Sequence, residues 1–403
     1  TTEIYTLSLH DALPICPRLH VDLHALAHNW QAVRSTFRGQ RIGAVVKNDA
    51  YGLGLATVAP LLWHLGCRDF WVAHTSEALA LRALLPAHAA RILVLHGLGG
   101  LAPQDFAAHA LVPVLAGPHE LPALHGHTHR HGTPLPVALH LDTGLTRLGF
   151  GAADLPALRP GSALWADAQP QTWVSHLGRF SDPTAPECLR QRADFTAWTA
   201  QLPRAERSIA TSSSVFADPA WHFDHARVGS ALFGVQTTPG HPQPLRSVAS
   251  LHAPVLRVAD VPAGTEVGYA GSYRTLRASR IATVAIGYGD GLPFGLVNRG
   301  ALYLCGQAAP IVGGVAMGML GLDVSAFAPG QVQPGMWAQV YGTQQPLEQL
   351  AATAGVAPNT LLVTTASLAT RHYSDSTHGG DCCDGGNQRL PPPTAQAPQE
   401  PQP

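Results

Sequence analysis

One lysine, Lys47, stands among the 403 residues, and the other 24 of the 25 basic side chains are arginine. Arginine supplies the cations everywhere else, so position 47 points to chemistry that a guanidinium cannot do. An amine can give up its proton and attack a carbonyl, whereas a guanidinium stays charged. Lys47 follows the apolar run 42–46 and opens the glycine-spaced segment Asn48-Asp49-Ala50-Tyr51-Gly52-Leu53-Gly54. An amine at the end of a buried strand is placed to form a Schiff base with a carbonyl cofactor.

The elements that must hold this lysine recur along the first part of the chain. Short β-like runs fall at 42–46, 70–74, 92–97, 111–116, 136–142, 172–177, 208–212 and 226–232. Helical patterns separate most of them. A strand at 19–22 precedes a helix capped by Asp22, an apolar helical face covers 55–65 before Gly66, and Thr75 opens a helix reaching about residue 85. Eight strands joined by helices predict parallel pairing and a closed (β/α)8 TIM-type barrel. An open doubly wound sheet is the alternative that periodicity leaves standing.

Barrel chemistry sits at the C-terminal strand ends. Lys47 ends the first run, Arg147 follows the fifth through Asp142-Thr143-Gly144-Leu145-Thr146, His176 ends the sixth and Ser212 the seventh. Arg227, Gly229 and Ser230 lie in the eighth. Glycine and serine donors after strands seven and eight suit a phosphate. An amine beside a phosphate site suggests pyridoxal 5′-phosphate.

The pattern changes after about residue 244. Runs at 253–261, 264–269, 280–289, 300–306 and 336–342 carry Gly, Pro and Asp punctuation and predict a mainly-β C-terminal domain. A helix at 346–354 and a last strand at 361–365 close it. The expected organisation is a non-native leader at 1–16, a cofactor-binding barrel at 17–243, a β-domain at 244–373 and a disordered tail at 374–403. The leader lacks Met and resembles adapter read-through.

Net charge is −1, which gives no footprint for nucleic acid, and no apolar run approaches the ~18–20 residues of a membrane span. The six cysteines have no C-x-x-C spacing and read as reduced thiols of a cytoplasmic protein; Cys382 and Cys383 in the tail are incidental. The alternating histidines of His125-Gly126-His127-Thr128-His129-Arg130-His131 read as a polar loop rather than a metal site, so no metal is expected.

The chain resembles the alanine racemase family. The resemblance rests on five ordered motifs: VVKNDAYGLG (45–54), LDTGLTRLGF (141–150), ARVGSALFG (226–234), VGYAGSY (267–273) with RIATVAIGYGDG (280–291), and APIVGGVAM (309–317). It covers roughly residues 18–373. It implies a pyridoxal-phosphate barrel followed by a β-domain, in a head-to-tail homodimer that shares its active sites and acts on a small amino acid. Lys47 would hold the cofactor and serve as one base, and Tyr269 of the partner subunit would be the other. His176 would activate that tyrosine and Arg227 would face the pyridine nitrogen. Tyr51, Ser212, Gly229 and Ser230 would bind the phosphate, Arg147 the phenolate side, and the Met317 backbone N–H the substrate carboxylate.

Four departures accompany the match. His140 replaces a lysine, Ala316-Met317-Gly318 replaces C-M-D, residues 368–371 read LATR where the family has R-V-P-R, and Thr211 precedes Ser212 in place of Asn. The expected activity is interconversion of L- and D-alanine by two bases, supplying D-alanine for peptidoglycan. A racemase for serine or a broader set, or a non-catalytic pyridoxal-phosphate protein, are the alternatives.

Overall fold

In the computed structural model, which describes residues 16–86, 89–179, 182–238 and 242–374, nine strands fall in the first half. They are β1 (Arg18–Asp22), β2 (Arg41–Val45), β3 (Asp69–Val72), β4 (Arg91–Val94), β5 (Leu111–Leu115), β6 (Leu135–His140), β7 (Ala168–Val174), β8 (Glu206–Ser208) and β9 (His225–Val228). β2 to β8 pair in sequence order, every pair parallel, and β9 returns to lie beside β2. A bridge between Thr211 and Arg227 and the Arg227 N–H donated to the Ala210 carbonyl at 2.9 Å draw β8 and β9 together. The (β/α)8 barrel expected from the eight runs is therefore present. Strands such as β3 and β5 are buried along their whole length, as parallel strands covered on both faces must be.

The crossovers follow the local signals. Asp22 accepts the Ala25 N–H at 2.9 Å and starts the helix Leu23–Thr36, which buries Leu26, Trp30 and Val33. Leu55–His64 and Thr75–Leu84 are helices as the spacing predicts, with His74 rather than Thr75 at the cap position. The segment of alternating histidines is a helical turn, His127–His131, whose N-terminal end donates to Asp167 from Gly126 and Thr128. Among the described residues no group of His, Cys, Asp or Glu is arranged to hold a metal.

The second half is β10 (Ala249–Val261), β11 (Glu266–Val267), β12 (Tyr273–Arg274), β13 (Ser279–Val284), β14 (Ala301–Leu304), β15 (Gln307–Val312), β16 (Leu320–Asp323), β17 (Trp337–Tyr341) and β18 (Thr370–Ser374). β10 is 13 residues long. That length lets it pair with β17 through its first part and β13 through its second, so six strands close on themselves. β11 and β12 form a separate hairpin.

Two elements differ from the sequence reading. β1, counted with the barrel by sequence, pairs antiparallel with β10 and parallel with β18, and so belongs to the second sheet. Residues 358–366 are a helix, not the expected strand at 361–365. Pro358 opens it, and Leu361, Leu362, Thr365 and Ala366 face the core at helical spacing. A short apolar run carries no period that separates the two. Among the described residues no helix is long and apolar enough to cross a membrane. The proposed leader, apart from an exposed Cys16, and the tail beyond Ser374 lie outside the described residues.

Candidate active site

Lys47 follows β2 and begins a left-handed turn. Asn48, Asp49, Ala50 and Tyr51 have φ of 53°, 53°, 55° and 59°. Left-handed backbone costs an L-residue about 1–2 kcal/mol, so four in succession need support from outside the turn. Glu77 gives part of it, accepting N–H groups from Asn48 at 2.6 Å, Ala73 at 2.7 Å and His74 at 3.0 Å. The turn projects Lys47 into a cavity of about 440 Å³ at the C-terminal mouth of the barrel. Burial first, then the Arg147 charge, lower the affinity of the amine for its proton, and Glu77 opposes them.

The cavity wall is cationic. Arg227 enters from β9, buried, with Nη1 donating to the Ser208 carbonyl and hydroxyl at 2.7 Å each and Nη2 to the Ser175 carbonyl at 2.6 Å. Burial, with Arg147 adding to it, pulls its pKa down to about 9, so the guanidinium stays charged near neutrality. His176, just past β7, sets Nδ1 3.4 Å from Arg227 Nη2. Burial and Arg227 hold His176 well below the usual imidazole value, leaving it neutral. His140 ends β6 on the same wall with Nδ1 unpartnered; burial, then Arg227, lower its pKa to about 4. Arg147 reaches the wall from a loop that Asp142 ties by accepting the N–H groups of Gly144, Leu145 and Thr146 at 2.9–3.0 Å. Among the described residues no carboxylate lines the cavity.

A polar recess lies at one side. Ser212 Oγ accepts the N–H groups of Gly229 and Ala231, each at 3.1 Å, so the Gly229 amide is engaged rather than free. A Cβ at Gly229 would run into the Tyr51 hydroxyl, which explains the glycine. Tyr51 is buried against Phe233 and hydrogen-bonded to Ser230; burial pushes its pKa up to about 12. Asn359 Nδ2 donates to Ser230 Oγ at 2.9 Å, while Asn359 Oδ1 and Thr237 Oγ1 are buried at the cavity without a partner.

The structure thus gathers around one cavity eight of the ten residues singled out by sequence: Lys47, Tyr51, Arg147, His176, Ser212, Arg227, Gly229 and Ser230. Tyr269 and Met317 are apart from it. Tyr269 follows the β11 strand and is 80% exposed; Met317 is 66% exposed. A Cβ at Gly268 would lie 2.9 Å from the Gly314 nitrogen, so the backbone before Tyr269 packs closely on residues 313–314. Sequence reading missed Asn359, Thr237 and Glu77. Asn359 lies just before the run 361–365 that reads as a strand, and nothing local marks Glu77 beyond its place in the first turn of a helix.

The alanine racemase N-terminal domain matches residues 21–237 and the alanine racemase C-terminal domain residues 248–373. The chain is similar to the alanine racemase of Rhodospirillum rubrum, 37% identical over 362 residues that cover 90% of this chain and 96% of that protein. It is 36% identical to that of Brucella canis over 90% of this chain and 94% of that protein. Its fold superposes on the crystal structure of alanine racemase from Bartonella henselae with covalently bound pyridoxal phosphate, with a TM-score of 0.85, 32% identity and coverage of 90% of this chain and all of that one. Alanine racemase from Streptomyces coelicolor gives a TM-score of 0.84 at 29% identity, with 90% and 99% covered. The chain belongs to the alanine racemase family.

Proposed function

We propose that this chain is a pyridoxal-phosphate-dependent alanine racemase. In this reading it interconverts L- and D-alanine with two bases on opposite faces of Cα, as a cytoplasmic head-to-tail homodimer supplying D-alanine for peptidoglycan. The observation that carries the reading is the cavity: the only lysine of the chain faces an anion-seeking wall that contains no carboxylate. The residues fit the cofactor. Lys47 is a primary amine whose proton affinity is lowered, Thr237 Oγ1 is an unpartnered donor at the recess, and the glycine at 229 leaves room for the Tyr51 hydroxyl. Bound there, the cofactor would supply an aldehyde for an amine and an electron-withdrawing ring that acidifies the substrate Cα–H.

The residues would divide the remaining work. Lys47 takes or returns the proton on one face of Cα. Arg227, its fork fixed by Ser208 and Ser175, would face the ring nitrogen as a cation and keep that nitrogen unprotonated. Tyr51, Ser212 and Ser230, with Asn359 beside them, would bind phosphate, the Gly229 amide joining them if Ser212 Oγ releases it; Arg147 would neutralise the phenolate side. Tyr269 of the partner subunit would serve the second face, with neutral His176 as a hydrogen-bond acceptor that orients it, and the partner's Met317 N–H would meet the substrate carboxylate. Exposed Tyr269, Leu276, Phe294 and Met317 on the β-domain support a second copy as the missing cover. The barrel unit is assigned to 17–243 and the β unit to 244–373, with β1 lent to the latter.

His140 favours a second reading within the same chemistry, a racemase for serine or a broader set. A neutral imidazole stands where the family has a lysine, on the wall beside Arg147. The test is racemisation by the purified chain with pyridoxal phosphate, started separately from each enantiomer of each amino acid. Alanine from either side should approach an equal mixture fastest. Faster serine turnover selects the second reading, and bound cofactor without racemisation of any amino acid rejects both.

A further inference from the structure

The left-handed turn that carries Lys47 has a second support, and it comes from the other end of the chain. Within the turn, the Gly52 N–H reaches the Asn48 carbonyl at 2.8 Å and the Gly54 N–H the Asp49 carbonyl at 2.9 Å. These bonds define the turn but leave its four strained residues unchanged. The β18 strand then bears directly on it. Arg371 Nη1 lies 2.7 Å from Asp49 Oδ2, and the Tyr373 hydroxyl donates to the Leu53 carbonyl at 3.0 Å. The other oxygen of Asp49 accepts the Leu55 N–H at 2.6 Å, so one carboxylate joins the turn, the next helix and β18.

The packing is too close for side chains on the turn's glycines. A Cβ at Gly52 would lie 2.8 Å from the Ala366 Cβ and 2.9 Å from the Ser367 nitrogen, and one at Gly54 would strike the Tyr373 hydroxyl. β18 reaches this place because it pairs with β1 in parallel register, His20 opposite His372, and β1 leads into the helix Leu23–Thr36 beside the barrel.

We infer that Arg371 and Tyr373 are positioning residues for Lys47: from the β-domain they hold the left-handed turn, and so fix both the lysine at its start and Tyr51 at its end. The inference rests on the proposed role of Lys47 as the cofactor-bearing residue. Neither side chain lines the cavity, so both act through the backbone of residues 48–54. If the clamp opens, relaxation of the turn toward right-handed backbone moves the amine and the phosphate-side tyrosine together. Displacement of a catalytic group by about 1 Å can cost ~10²-fold in rate, so a partial loss of restraint should be visible without unfolding.

The experiment compares Tyr373→Phe, Arg371→Gln, their double variant, Arg371→Lys and His372→Gln in the full chain. Four readouts apply: backbone hydrogen exchange of residues 48–55, the dissociation constant for pyridoxal phosphate, kcat against KM for alanine, and borohydride labelling at Lys47. Loosening the clamp should speed exchange in the turn by about 10-fold in the double variant, through local opening rather than global unfolding. Cofactor binding should weaken and kcat should fall by about 10-fold each, with KM little changed. Arg371→Lys should recover most of the loss, because the ion pair survives. His372→Gln, on the same strand but away from the turn, should match the parent chain. Exchange and cofactor affinity unchanged in the double variant would overturn the inference. The same loss in His372→Gln would also overturn it, since β18 would then act only as a structural edge. An unlabelled Lys47 in the parent chain would instead remove the proposed function, while the exchange measurement made without cofactor would still decide whether the clamp exists.

Discussion

The two ends of the barrel treat charge in opposite ways. At the N-terminal end, Asp69 on β3 receives Arg41 through two bonds of 2.8 Å and Arg91 at 2.7 Å. Arg91 goes on to Glu206 at 2.6 Å, and Glu206 also takes the Thr172 hydroxyl at 3.2 Å. Arg207 and Asp224 pair at 3.1 Å beside them. At the C-terminal end, Lys47, Arg147 and Arg227 gather around the cavity with neutral histidines and, among the described residues, without a carboxylate. Uncompensated cations are costly to keep together: burial first, and then the Arg147 charge, lower the proton affinity of Lys47 and Arg227. One end uses its charges on each other, and the other holds them ready for an anion. In a barrel, the first arrangement serves stability and the second serves chemistry.

The comparison breaks first at Lys47. Lys47→Arg keeps the positive charge and removes the attacking amine. Racemisation should fall by more than the ~10²–10⁴-fold that a general base contributes, since attachment is lost as well. Retained turnover, measured from L-alanine, would show that charge alone is what the cavity needs. Next in size is Tyr269→Phe, which deletes an ionisable group on an exposed face. Turnover should drop by about 10²–10⁴-fold with cofactor binding intact. Mixing it with Lys47→Ala chains should restore activity if subunits exchange and share sites. No restoration, with exchange demonstrated independently, would make Tyr269 a surface residue.

Asp69→Asn tests the opposite end. It leaves two arginines facing a neutral amide, and breaking a buried pair costs about 3–5 kcal/mol. Urea unfolding should report that loss while the affinity for pyridoxal phosphate stays as in the parent chain. An altered cofactor affinity would mean that the two ends are coupled. The smallest effect separates the ends by pH. Histidines such as His140, lowered to about 4, refuse a proton in the folded chain that the unfolded chain accepts below its ordinary value of 6.5. Stability therefore falls as pH drops from about 6.5 toward 4, by up to about 1.4 kcal/mol per pH unit for each such group. His140→Gln should flatten that slope. The stabilisation held by Glu206, lowered to about 2 despite burial through His225 and Arg91, is complete above its unfolded value of 4.5 and is lost below it. Glu206→Gln should leave the upper window unchanged.

Most of the barrel was legible because its signal is repeated. Runs with helical spacing between them predict parallel strands, their number of eight favours the closed barrel over the open sheet that periodicity leaves standing, and Lys47 is conspicuous by being alone. Residues near strand ends were found because barrel topology assigns those ends to one rim. Asn359 was hidden because the run around Leu361 and Leu362 has no decisive period, and a strand there would not have brought residue 359 to the cavity. β1 falls within the sequence bounds of the barrel, and its place in the other sheet is concealed because its partners, residues 249–252 and 370–374, lie more than two hundred residues away in the chain. Arg371 was noticed only as the remnant of a lost motif; its partner Asp49 is a contact that sequence separation conceals. Tyr269 was recognised by resemblance alone, and its exposure in this chain is consistent with work done elsewhere than in its own cavity.

The central claim is that a carboxylate-free cavity presents the one lysine of the chain as its nucleophile. Borohydride reduction of the protein loaded with pyridoxal phosphate, followed by peptide mapping, tests it most directly. The account predicts one stoichiometric label, on the peptide containing Lys47, and none after Lys47→Arg. Cofactor held at full occupancy with Lys47 unlabelled would contradict it.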